Sequence, residues 1–244
     1  MLSNLQKNNS YYFKSVTIRL LIVILFIDMA FIMLHVLKEI TPFIDKNLFS
    51  LTADNALPEM YQYIKFCIIT VIFLIVYSKS KVFGFLWWAL LFFYLLVDDS
   101  FSTHEVFGEY ISQRLSFSYS LGLRPQDFGE LTVTALFVTP LLCAIAYHNY
   151  YGKQQFRMIS FDITFLIIGL AFFGVGIDML GIVVKLGSKV DFLLSMIEEG
   201  GEMIFVSLTC WYLLVLNAYN IQKSTSLFLD FGSHIKSKSL FASK

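Results

Sequence analysis

Six apolar windows, each close to the length of a membrane-crossing helix, are separated along this chain by short polar stretches. A spanning α-helix needs about 20 mostly apolar residues. Windows of that kind lie near 16–37, 61–78, 82–97, 131–147, 161–184 and 202–221. The pattern predicts an all-α fold, a polytopic membrane helix bundle of about six transmembrane helices. The first window follows Lys7, Lys14 and Arg19, as a signal peptide would. Its apolar run is too long for one, and no small-residue cleavage site follows, so a retained first span is expected. Residues 1–222 form the expected transmembrane domain, and the Ser/Lys-rich residues 223–244 a cytoplasmic tail.

Composition agrees with this pattern. Of the 244 residues, 57% are hydrophobic and 15% charged, against about 45–50% and roughly 25% in soluble domains. The mean hydropathy is +0.69. Net charge is zero, which gives no sign of a nucleic-acid partner. Cys67, Cys143 and Cys210 lie far apart within apolar runs, so neither a disulfide nor a cysteine metal site is expected.

Lysines and arginines between the windows set the expected orientation. With the N-terminus inside, 11 of the 18 lie on the inner side and 7 on the other, Lys65 being counted with the 7. The acids are more lopsided: only Asp162 and Asp230 fall inside, and Asp28 is within the first span. Both termini are therefore expected in the cytoplasm, with the chemistry facing outward across a plasma or bacterial inner membrane.

Ionisable groups inside spans are costly, and each is by default a functional hypothesis. Counting rise from each inner boundary puts Asp28 near the midplane, with His35, Asp98, Asp178 and Glu202 at one level near the outer edge. The densest stretch is Asp98-Asp99-Ser100-Phe101-Ser102-Thr103-His104-Glu105. On an unbroken helix Asp98, Ser102, Glu105 and Glu109 form one stripe, and His104 points roughly 120° away from Asp98. In Glu198-Glu199-Gly200-Gly201-Glu202, pairs of acids share a helical face, and the glycines either break the helix or admit a close neighbour. Ala171, Gly174, Asp178 and Gly181 make a small-residue seam. Each has a plainer reading too: a helix end running into water, a solvated Gly turn, a helix–helix hydrogen bond at Asp28, an interfacial histidine at His35.

So many carboxylates need compensation, by protonation, by Lys65 or Lys185, or by a metal held by histidine and carboxylates. The preferred expectation is a metal-binding, membrane-embedded hydrolase or oxidoreductase acting on a lipid-like or amphiphilic substrate. His35, Asp98, His104, Glu105 and Glu202 would be ligands to a divalent zinc or iron ion. Asp99 and Glu199 would be general bases, with Asp28, Asp178, Glu198 and Ser102 as supporting groups or a proton relay. Two alternatives stand beside it: a proton- or cation-coupled transporter or channel using Asp28 and the outer acidic cluster, and a non-catalytic membrane subunit docking a partner. The four histidines are too few for a histidine-rich desaturase-type site. The Asp-Asp-x-x-Asp spacing of membrane prenyl transferases fails at Ser102.

Overall fold

The structure, a computed structural model, describes residues 2–41, 47–183 and 187–218, with side chains in the first helix described over 16–38. The expected tail, with His234, lies outside the described residues, as do Lys185 and the side chain of Glu39.

Helices account for nearly all of the described chain: α1 (Leu2–Ile40), α2 (Leu57–Ser80), α3 (Phe83–Phe101), α4 (Thr103–Arg114), α5 (Pro125–Tyr151) and α6 (Gln154–Ala171). A π-helical stretch, Phe172–Ile177, then leads through α7 (Asp178–Val183) to α8 (Ser188–Ala218). Six stretches are long and apolar enough to cross a membrane: Val16–Lys38 of α1, then α2, α3, α5, Gln154–Val183, and α8. They correspond one for one to the six apolar windows. The amphipathic α4 falls between the third and fourth.

Two boundaries differ from expectation, each for a local reason. The sixth window reads as starting at 202, yet α8 begins at Ser188 and runs unbroken through Gly200 and Gly201. The glycines serve close approach, not a turn. A Cβ at Gly201 would collide with the Phe173 ring, and one at Gly200 would stand 3.1 Å from Ile32 Cδ1. The third helix, conversely, does not continue through the acidic stretch. It ends at Phe101, because Ser102 takes the left-handed conformation (φ 45°, ψ 44°) and α4 starts afresh at Thr103. The single stripe of Asp98, Ser102, Glu105 and Glu109 is thereby broken.

The described residues fall into two compact units, one of residues 2–41, 47–65, 170–183 and 187–215, the other of residues 66–169 with 216–218. In the first, contacts between α1 and α8 run in opposite chain order. Trp211 Nε1 donates to the Thr17 carbonyl at 2.9 Å, Ile32 meets Gly200, and His35 stacks on Phe192. The two helices are therefore antiparallel. The second unit is built on aromatic packing, with Phe73 against Phe85, Trp88 and Phe92, and Phe85 edge-on to Phe156. Trp88 is fully buried and donates its indole N–H to Ser160 Oγ at 3.1 Å, the packing role its sequence position suggests. Gly84 lies under the Phe156 ring, and the Gly108 and Gly129 backbones bring α4 directly onto α5.

Candidate functional site

The first unit holds a fully buried ion pair. Asp28, in the apolar middle of α1, has no solvent exposure, and Lys65 of α2 is 2% exposed. A lone charge in such surroundings would carry a large desolvation cost, so the two must answer each other. Lys65 Nζ stands 3.2 Å from Asp28 Oδ1. It also donates to the Met203 carbonyl at 2.9 Å and to Ser207 Oγ at 3.0 Å, both on α8. An ammonium has three N–H donors, and these three oxygens use all of them. The Tyr61 ring covers the same ammonium at 4.5 Å, adding cation–π attraction.

The carboxylate is less completely served. Asp28 Oδ2 is buried and has no hydrogen-bond partner among the described residues. One turn along α2 from Lys65, Gln62 donates to Glu202 Oε2 at 3.4 Å. A Cβ at Gly174 would collide with the Glu202 carboxylate, so the absence of a side chain there makes room for it. Glu198 lies within electrostatic reach of Asp178, a like-charged neighbour. Asp28, Lys65, Gln62 and Glu202 thus form a polar thread through an otherwise apolar part of α1, α2 and α8.

His35 does not join it. Its ring stacks on Phe192 with centroids 5.3 Å apart. Phe192 precedes Glu202 on α8 by about 15 Å of helical rise, so the expectation that His35 and Glu202 share a level fails. Rise counted from each helix's own inner end does not fix how one helix sits against another; the packing of α1 on α8 does. Nδ1 of His35 accepts the Leu51 backbone N–H at 2.9 Å. A neutral imidazole that accepts at Nδ1 carries its proton at Nε2, and neither nitrogen then has a free lone pair for a metal.

In the second unit the break at Ser102 makes a different pair. Asp98 Oδ1 accepts the backbone N–H of His104 at 2.9 Å, and Oδ2 stands 3.1 Å from His104 Nδ1. On an unbroken helix these residues would diverge; the left-handed Ser102 folds α4 back so that they meet. The Asp98 carboxylate that faces Nδ1 as acceptor raises the His104 pKa, partial burial opposes it, and the charges of Glu130 and Glu105 add to the rise. Glu105 and Glu109 are exposed on α4, and Asp99 is half-buried. Glu130 of α5 accepts from Gln126 at 2.8 Å.

His35 and Glu202 belong to the first unit, and Asp98, His104 and Glu105 to the second. Among the described residues, no three His, Cys, Asp or Glu side chains are grouped so as to hold a metal ion. Sequence reasoning named Asp28 and Lys65 but missed Gln62, Ser207 and the Met203 carbonyl. The available signal was Lys65 itself, a lysine inside the second apolar window.

Six apolar helices threaded by buried polar side chains define a multi-pass helical membrane protein. Residues 20–216 match the model of a family described as a domain of unknown function, DUF8692, and the chain belongs to that family. No curated protein and no solved structure matches the chain.

Proposed function

We propose that this protein carries protons through the membrane, with Asp28 as the group that takes up and releases them. The observation behind this reading is the buried Lys65–Asp28 pair within apolar spans, one turn from Gln62 and Glu202. Asp28 Oδ2 is where a proton can land, since no donor occupies it among the described residues. Protonation cancels the charge that Lys65 opposes and leaves the ammonium to the Met203 carbonyl and Ser207 Oγ alone, a costlier state that drives the proton off again. Deprotonation restores the pair. The carboxylate is thus loaded and emptied while its partner stays anchored. Glu202 is the adjacent acceptor on the thread, and Glu198 and Asp178 extend it along α8 and α7.

This reading takes the transporter alternative over the metalloenzyme. The Asp98–His104 pair would supply two ligands of a zinc or iron centre and the outward acids a base, but the Asp28–Lys65 pair has no part in that chemistry. In the same reading both termini face the cytoplasm of a plasma or bacterial inner membrane, following the lysine and arginine count.

Reconstitution into liposomes holding a pH-sensitive dye tests it. Under a potassium diffusion potential, the wild-type protein is expected to move protons well above protein-free liposomes, and Asp28→Asn to reduce that flux at least tenfold. A wild-type flux equal to that of empty liposomes would overturn the reading.

A further inference from the structure

We infer that Asp28, Ser207 and the Met203 carbonyl form a monovalent-cation site, filled in this protein by the tethered ammonium of Lys65. The inference goes beyond proton movement and does not depend on it. Three oxygens of three kinds, a carboxylate, a hydroxyl and a helix carbonyl, surround one cationic centre at 2.9–3.2 Å. Backbone carbonyl oxygens replace the hydration shell of potassium in channel filters, and carboxylate rings attract cations in others. The face of Tyr61, 4.5 Å away, closes another side with negative π density.

Charge balance supports the assignment. One carboxylate faces one cation, and both side chains are almost fully buried. The second carboxylate oxygen, Oδ2, is buried without a partner among the described residues, so a fourth oxygen stands ready for an ion not constrained by a lysine stem. The oxygens are spaced for an ammonium, a cation close to potassium in size and larger than lithium. Removing the lysine side chain would leave the same oxygens, a net negative charge and the space of its four methylenes. A free cation of similar size, with water behind it, answers all three. Wild-type protein, by contrast, has no vacancy there, and its properties are expected to be indifferent to which alkali cation is present.

Thermal unfolding of purified full-length protein in detergent tests this without reference to transport. Lys65→Ala would be titrated with potassium, ammonium, sodium or lithium chloride against N-methylglucamine chloride at constant ionic strength. Potassium and ammonium are expected to raise its Tm saturably by about 2–4 °C, the shift for a ligand present at a few times its Kd. Lithium is expected to raise it least. Wild-type protein and Asp28→Asn/Lys65→Ala are expected not to respond. A folded Lys65→Ala that ignores all four cations overturns the inference, as does an equal response from the double variant. If Lys65→Ala does not fold, Lys65→Gln, whose amide can still bond to Ser207, takes its place. Failure of both to fold in saturating potassium also overturns it, because a mobile cation in that site would have restored the missing charge.

Discussion

Asp28 and Lys65 are two residues whose burial makes sense only together. Their separation of 3.2 Å lies within apolar helices, where the attraction is screened little and the desolvation of each charge is large. Removing one member strands the other. Asp28→Asn and Lys65→Met are therefore each expected to cost about 3–5 kcal/mol, the usual penalty for an uncompensated buried charge. The double variant Asp28→Asn/Lys65→Met removes both charges and is expected to recover most of that loss. Thermal unfolding of the four proteins measures it, and simple addition of the two single losses would show that the charges do not answer each other. The sequence made half of this legible. A lysine and an aspartate inside apolar windows demand partners, but nothing in their spacing says that they partner each other, since 28 and 65 meet only through the packing of α1 against α2. Ser207 and the Met203 carbonyl were invisible for a simpler reason: a serine is ordinary in an apolar helix, and a backbone carbonyl leaves no trace in sequence.

Elements were read well where hydrophobicity alone decides them, and poorly where backbone conformation does. The six apolar stretches stand at the expected places because length and apolarity suffice to mark a span. The ends of α3 and α8 were misplaced. Gly200 and Gly201 look like a turn but are the contact that seats Phe173 and Ile32 on α8. Ser102 looks helical, yet it adopts a left-handed conformation that a serine takes at some cost. Asp98 holds that corner by capping the first turn of α4 and pairing with His104. This gives the corner a pH dependence. The folded state raises the His104 pKa, so the protonated pair's stabilisation is fully present below the unfolded value of about 6.5 and is lost as pH rises through the folded value. Hydrogen exchange of the α4 amides is expected to quicken as pH climbs through that window, beyond the intrinsic base-catalysed rise. His104→Gln is expected to show only the intrinsic rise. Identical profiles for the two proteins would mean that the pair does not hold the corner.

At the scale of the whole molecule, an even number of spans would leave both termini on one side, and the proposed reading, following the lysine and arginine bias, takes that side as the cytoplasm. The finding that Lys65 is buried within a span moves it off the outer side of the count and sharpens the bias. Single cysteines at positions 80 and 155 are expected to react with an impermeant thiol reagent only from the cytoplasmic side, and one at 120 only from outside; labelling of position 120 from the cytoplasm would invert the molecule. Function was the least legible level. Depth counting gathered His35 and Glu202 at one level, and the structure separates them, because rise along each helix does not fix the register in which two helices pack.

The central claim is that Asp28 exchanges a proton inside the membrane, and infrared difference spectroscopy of the reconstituted protein reads that event most directly. Cycling the bathing pH is expected to produce a carboxylic-acid C=O band of a buried group that rises on acidification, reverses on return and disappears in Asp28→Asn. A wild-type spectrum with no such band, or one whose band persists unchanged in Asp28→Asn, would contradict the account and leave the Asp28–Lys65 pair as a fixed bond between helices.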